Sequence, residues 1–424
     1  SKLVNILTTA GEQTEVAHAE APQIPEVTGS PASTVPWSVQ SREGRRWLGS
    51  VLTVKEIEDV IQEAAKQPIR AYASLQSGTT DEERAAVVMR ELERTNAFER
   101  SAIALFSPTG SGYVNYVASE TFEYLTRGDC ASFAIEYSVL PSSFSLQAVP
   151  LGTRQTRLVV DAVVERLLTM KPEDRPKFYM FGESLGSQVS EGMFTDEGAW
   201  GPRGIGLTAG VWIGTPSATT WRKQLWGKRS IADPSAIGPG DTYLPRNIDD
   251  WHKLPESERA KVRFLLLQNG DDPIPKFGTQ LIWRRPDWLG PDDTRPLGSP
   301  KGTKWIPFVT FVQTFIDMLN ALTPTPGIFA EGGHDYREEI PEALRQIWRL
   351  EISEGQMKRV QQALRNRELH WEATRAWEAA EAITDDAKRE KAENKAKEQI
   401  GQWLGNEPDE PITPEQIARL RSAD

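Results

Sequence analysis

Short apolar runs alternating with amphipathic stretches dominate the middle of the chain. Residues 101–106 (Ser-Ala-Ile-Ala-Leu-Phe), 131–137, 177–182 (Lys-Phe-Tyr-Met-Phe-Gly), 207–213, 262–268 and 327–330 are too short for helices and too continuous for strands with one wet face. Helical patterns fall between or beside them, over about 118–125, 153–170 and 187–194. Upstream, a helical pattern covers 52–66 and a β-like run covers 68–75. Thr80-Asp81-Glu82-Glu83 then has capping-box form and opens a helix through about Arg94. Buried strands separated by helices predict an α/β fold, a mostly parallel central sheet covered by helices on both faces.

The flanks read differently. Residues 1–40 are rich in Pro, Ser, Thr, Ala and Glu without a sustained period, as in a linker or an arm laid over the surface. From about 351 the chain is crowded with Ala, Glu, Lys and Arg and carries Trp371, Trp377 and Trp403. This predicts a long helix or helical hairpin, a Pro-rich break at 407–413 and a final short helix. The expected division is 1–40, a domain at 41–350, and a charged helical extension at 351–424. The extension is read as packed on the domain, with a partner-binding or oligomerising arm as the alternative. No internal repeat is present.

Composition narrows the classes. With 38% hydrophobic and 26% charged residues the chain is an ordinary folding sequence. A net charge of −11 argues against nucleic acid as the main partner, because phosphate neutralisation needs a basic surface. The single Cys130 excludes an intramolecular disulfide and any Cys-based metal cluster. No stretch approaches the ~20 apolar residues of a membrane span. The best run, 305–322, is interrupted by Pro307, Gln313, Asp317 and Asn320. The first residues lack a signal peptide's basic start and apolar stretch, so the chain is either cytoplasmic or a piece of something larger.

Candidate chemistry centres on Gly182-Glu183-Ser184-Leu185-Gly186. The motif alone carries little weight, since Gly and Ser are common. Here it directly follows a predicted strand and precedes a helix-compatible run. A strand–nucleophile–helix turn needs glycines because neighbouring elements crowd the bend. It would expose the Ser184 hydroxyl and place the Leu185 N–H at a helix start, where it can donate to an oxyanion.

A serine hydroxyl needs an oriented base, and in such a fold the order is Ser, acid, His. Of the four histidines, His18 precedes the sheet, His252 precedes the acid position and His370 lies in the charged tail. His334, in Glu331-Gly332-Gly333-His334-Asp335-Tyr336, fits. The acid is expected in Asn269-Gly270-Asp271-Asp272-Pro273-Ile274, with Asp272 favoured and Asp271 its competitor. A second oxyanion donor is expected at Gly110 or its neighbours in Pro108-Thr109-Gly110-Ser111-Gly112. That loop lacks the Lys-Ser/Thr ending of a phosphate-binding loop, and nothing calls for a cofactor or a metal.

An insertion at about 216–261, with Trp221, Trp226, Tyr243 and Trp251, is too long for an ordinary connection and reads as a cap. Trp283, Trp288, Phe308, Phe311, Phe315 and Met318 follow the acid loop. Phe311, Phe315 and Met318 have helical spacing, which suits a core as well as a substrate wall. Trp221, Trp226, Trp251, Trp283, Phe311 and Phe315 are the expected substrate contacts, favouring an apolar group such as an acyl chain.

Further segments carry a resemblance: Val35-Pro36-Trp37, Gly44-Arg45-Arg46-Trp47, Pro68-Ile69-Arg70, Arg90-Glu91-Leu92-Glu93-Arg94-Thr95, Ser107 to Tyr113 and Glu136 to Ser142. Asp272-Pro273-Ile274, Arg285-Pro286-Asp287-Trp288-Leu289 and Gly333-His334-Asp335-Tyr336 complete it. Over residues 30–345 the chain resembles a bacterial family of membrane-anchored α/β-hydrolases, whose catalytic domain follows an N-terminal transmembrane bundle. The resemblance implies Ser184, His334 and the Asp of Asp-Pro-Ile as a triad. It also implies an extracytoplasmic (periplasmic) domain at the membrane surface, acting on envelope lipids or other acyl esters. The sequence departs from that pattern in lacking the bundle and in its charged tail. The expected activity is that of a serine esterase, lipase or acyltransferase working through an acyl-enzyme. A peptidase or thioesterase on the same triad and a non-catalytic scaffold are the alternatives.

Overall fold

Among the described residues, eight strands form one sheet: β1 (Ile69–Ala73), β2 (Ala102–Ser107), β3 (Cys130–Ile135), β4 (Lys177–Glu183), β5 (Ala209–Ile213), β6 (Ile237–Gly238), β7 (Thr242–Tyr243) and β8 (Phe264–Leu267). The computed structural model describes residues 18–139, 145–217, 219–226, 237–289, 302–321, 326–329 and 332–403. Strand order is β1-β3-β2-β4-β5-β8-β7-β6, and every pairing is parallel except β6–β7. This is the α/β architecture with a mostly parallel sheet that the apolar runs predict.

The central strands are mostly apolar because both faces of the sheet are buried. Ala104, Phe106, Tyr179 and Phe181 point into one core, Ile103, Leu105, Phe178 and Met180 into the other. Helices α3 (Asp81–Arg94) and α5 (Val149–Leu168) bury Val88, Leu92, Val159 and Val163 in the second core. On the first side lie α1 (Arg42–Gly49), α2 (Val54–Ile61), α4 (Tyr116–Leu125) and α9 (Ile340–Ile347). There Trp348 stacks on Tyr179, ring centroids 4.6 Å apart, and accepts the Tyr179 hydroxyl at its carbonyl. The Thr80–Glu83 capping box forms as its spacing predicts, and Thr53–Glu56 makes another at α2.

Four segments refine the expectations. Within the N-terminal arm, Thr28 donates to the Arg70 carbonyl and Arg70 to that of Glu26, so the arm covers the β1 edge; residues 1–17 lie outside the described residues. The run at 327–330 makes no strand over its described part, and the place beside β8 is taken by β7.

The insertion at 216–261 does not stand as a separate cap over its described part. It supplies β6, β7 and α7 (Thr220–Trp226), and Trp221, Trp226 and Trp251 are buried in the two cores. Trp221 packs edge-on to Trp212 and beside Phe194, and its N–H reaches the Gly198 carbonyl. These three side chains therefore fill core volume, correcting the expectation that they line a substrate entrance. The charged extension is a hairpin of α10 (Glu354–Glu381) and α11 (Asp386–Trp403), with Met357, Val360 and Leu364 anchoring α10 in the first core. The Pro-rich break and final helix expected at 407–424 lie outside the described residues. Among the described residues, no helix is long and apolar enough to cross a membrane.

Candidate active site

β4 leads straight into α6 (Leu185–Gly192), with Ser184 at the bend. Ser184 has φ 51° and ψ −122°, a conformation that costs a non-glycine residue energy and persists only where its surroundings impose it. The surroundings are tight. A Cβ on Gly186 would stand 2.2 Å from the Ser107 carbonyl oxygen, and one on Gly182 would stand 2.8 Å from Ser187 Cα. Both motif glycines are thus required by the approach of strand and helix. Ser184 N–H donates to the Ile213 carbonyl at 2.9 Å, which fixes the bend against the end of β5.

The other candidates come from loops beyond β8 and before α9. His334 Nδ1 lies 2.8 Å from Asp272 Oδ2. Asp272 is fully buried; its Oδ2 also accepts the Tyr336 hydroxyl at 2.7 Å and its Oδ1 the Ile274 N–H at 2.8 Å. Tyr336 in turn accepts the Asn269 N–H at 3.0 Å. Asp271 is exposed and accepts the Gly333 N–H at 2.8 Å, so it braces the histidine loop without touching the imidazole. A Cβ on Gly214 would lie 2.7 Å from His334 Cε1, so the imidazole sits over the residue that follows Ile213. Ser184 and His334 therefore flank the same strand end.

Burial disfavours the imidazolium of His334. The charge of Asp272, the hydrogen bond to it, and the carboxylates of Glu183 and Asp335 outweigh this and hold its pKa above the ordinary histidine value. Glu183, just before Ser184, is pushed up by burial, against a 2.9 Å hydrogen bond from Asn115 and the pull of His334.

In the glycine loop, Thr109 N–H donates to the Tyr113 carbonyl and Gly112 N–H to that of Thr109. The Gly110 carbonyl accepts the Ser145 hydroxyl at 3.0 Å, and these turn bonds do not use the Gly110 N–H. The loop rests on a residue the sequence reading left without a role. Glu136 is buried and accepts Ser41, Tyr72 and the Leu75 N–H, while Tyr72 also donates to the Gly112 carbonyl. A Cβ on Gly112, which has φ +83°, would strike Glu136 Oε1 at 2.2 Å. Burial pushes the Glu136 carboxyl up to about 7, against those hydrogen bonds.

Beyond Asp272, Phe277 lies 5.2 Å from Phe311 and 5.8 Å from Phe315, ring centre to ring centre. Both phenylalanines are on α8 (Val309–Asn320); Phe311 is half-buried and Phe315 is partly open. Trp283 is exposed. Tyr336 and Glu183, like Glu136, gain their roles by pairing across the chain, and only their presence inside the His334 and Ser184 motifs pointed to them. Among the described residues, no group of His, Cys, Asp and Glu side chains could hold a metal ion.

No curated protein and no solved structure matches the chain. A family model described as an alpha/beta-hydrolase family matches residues 69–360, from the first strand through the Ser184, Asp272 and His334 loops into the start of α10. That span covers well over half of the chain, and the chain belongs to this α/β-hydrolase family.

Proposed function

We propose that the protein is a serine esterase or acyltransferase that works through an acyl-enzyme on an apolar acyl ester. The carrying observation is the Asp272–His334 hydrogen bond of 2.8 Å, set over the strand end that also fixes Ser184 in its strained bend.

In this reading Ser184 Oγ attacks the ester carbonyl and His334 takes its proton. Asp272, held by Tyr336 and the Ile274 N–H, keeps the imidazole oriented and stabilises its charged form. The oxyanion is met by the N–H groups of Leu185, at the start of α6, and Gly110. His334 returns the proton to the departing alkoxide, leaving the acyl group on Ser184. Water or an acceptor alcohol, deprotonated by His334, then removes it. The cluster of Phe277, Phe311 and Phe315, with Trp283 outside it, supports an acyl chain as the recognised group. The resemblance to membrane-anchored hydrolases supports a lipid or cell-envelope ester and an extracytoplasmic setting, with the anchor ahead of residue 1.

A fluorophosphonate probe tests the chemistry: labelling of the wild-type chain that Ser184→Ala abolishes is the expected outcome, and labelling that survives at another residue overturns it. A panel of acyl esters, thioesters and peptides tests the substrate class. Each buried methylene contributes about 0.8 kcal/mol, so efficiency should climb steeply from acetyl to long-chain esters. Equal turnover of both, or a preference for peptides, would remove the lipid reading.

A further inference from the structure

The helix α8 is built inside out. Its buried positions include Thr310 and Thr314, whereas Val309, Val312, Ile316 and Leu319 face water. At 3–4-residue intervals these four form one outward stripe. Thr310 is satisfied locally, accepting the Ile306 N–H at 3.0 Å and receiving the Thr314 hydroxyl at its carbonyl. Just ahead of the stripe, Ile306 and Phe308 are also exposed, Phe308 by 64%. Phe308 has φ 66° and ψ −47°, and the Val309 N–H turns back to the Pro307 carbonyl at 2.7 Å. A γ-turn of this hand is rare and strained, and here it holds a phenylalanine out in water. Trp283 joins the same face: Trp305 donates to the Leu281 carbonyl at 2.8 Å, so the turn that carries Trp283 lies against the segment leading into α8. Trp283 is 66% exposed.

The charges around this face run against those of the chain. The protein carries −11 overall, yet among the described residues the exposed charged side chains next to Trp283 and at the entry to α8 are Arg284, Arg285 and Lys304, and α8 itself contributes one acid, Asp317. A second copy docked through this face would bring like-charged rims together, which opposes such a dimer. An apolar stripe with a tryptophan at its margin and a basic rim is instead complementary to a bilayer with anionic headgroups.

We propose that the face formed by Trp283, Ile306, Phe308, Val312, Ile316 and Leu319 docks on an anionic lipid bilayer, with Arg284 and Lys304 meeting the headgroups. This is a second contact with the membrane, separate from any anchor ahead of residue 1. Phe277, five residues past Asp272, packs on Phe311 and Phe315 of the docked helix, so the face adjoins the candidate acid loop.

The test is flotation of the full chain with phosphatidylcholine vesicles, with and without phosphatidylglycerol. Expected is binding to the anionic vesicles that weakens at high salt and falls at least tenfold in Phe308→Asp and in Ile316→Asp. The double variant Arg284→Glu, Lys304→Glu should lose the preference for anionic vesicles. Leu168→Asp and Trp200→Ser, at exposed apolar sites elsewhere, should bind as the wild type does. Absence of vesicle binding, or equal binding by all variants, overturns the proposal. So does a concentration-dependent dimer in sedimentation that Phe308→Asp dissolves, which would make a second copy the occupant. Hydrolysis of a short soluble ester, measured alongside, should be unchanged in Phe308→Asp and Ile316→Asp; that assay reports on Ser184 chemistry independently of docking.

Discussion

Arg337, three residues past His334, donates to Glu368 on α10 and so ties the loop of the candidate base to the C-terminal hairpin. The Arg337 guanidinium also grips Asp335 through two hydrogen bonds, of 2.9 and 2.7 Å, and donates to the Ile328 carbonyl, while Glu368 accepts the Gly327 N–H. The family match ends at residue 360, eight residues before Glu368, so this brace comes from a part of the hairpin beyond it.

Replacing Glu368 by Gln removes the charged link between the histidine loop and α10 while leaving Arg337 paired with Asp335, so the loss is that of one charge-assisted contact, about 1–3 kcal/mol. Glu368→Gln is therefore expected to lower the melting temperature and, by loosening the His334 loop, to reduce kcat about tenfold with KM little changed. Glu368→Asp should recover part of both. Steady-state kinetics beside thermal melts check this. An unaltered kcat would mean that α10 stabilises the domain without positioning the histidine.

The two adjacent aspartates should separate sharply. Asp272→Asn is expected to slow acylation by ~10⁴, since the amide cannot hold the required tautomer or stabilise the imidazolium. Asp271→Asn should cost less than tenfold, because Asp271 is exposed and braces the loop through the Gly333 N–H without touching the imidazole. Tyr336→Phe removes one donor from Asp272 and leaves the Asn269 N–H without its acceptor, so an intermediate loss is expected. Rates of fluorophosphonate labelling rank the three, and a larger loss at Asp271 reverses the assignment.

Gly214 offers a steric test. It has φ +55°, and its missing Cβ is what lets the His334 and Tyr336 rings close over the end of β5. Gly214→Ala is expected to displace the imidazole and cut activity a hundredfold or more while the sheet stays folded. Circular dichroism and labelling rate, measured together, distinguish displacement from unfolding.

The strands and the Ser184 bend were legible because both depend on neighbours in sequence: uninterrupted apolar runs mean two buried faces, and the elbow's glycines answer to a local crossing. The insertion was not legible for a different reason. Trp221, Trp226 and Trp251 look the same in composition whether they line a cleft or fill a core, and β7 pairing beside β8 decides in favour of the core. Likewise 327–330 is apolar enough for a strand, yet its described part makes none and β7 holds the place beside β8. The braces of the candidate site join residues far apart, as Tyr336 to Asp272, Glu368 to Arg337 and Glu136 under Gly112 do, and no local pattern announces them.

The pH profile carries the final prediction. In the proposed mechanism His334 must be neutral to accept the Ser184 proton, so activity should fall on the acid side as the imidazole protonates. Its pKa lies above the ordinary histidine value because Asp272, Glu183 and Asp335 together outweigh burial. The acid limb of kcat/KM should therefore lie higher than for an unperturbed imidazole. Glu183→Gln removes one of those negative charges while keeping an oxygen to accept from Asn115. With less negative charge nearby the imidazolium is less favoured, its pKa drops, and the limb should move to lower pH. Asp272→Asn would shift the same limb further, but at a rate too low to compare directly, which makes Glu183→Gln the cleaner probe. A limb that stays in place, or moves to higher pH, would mean that the group titrating in the profile is not His334.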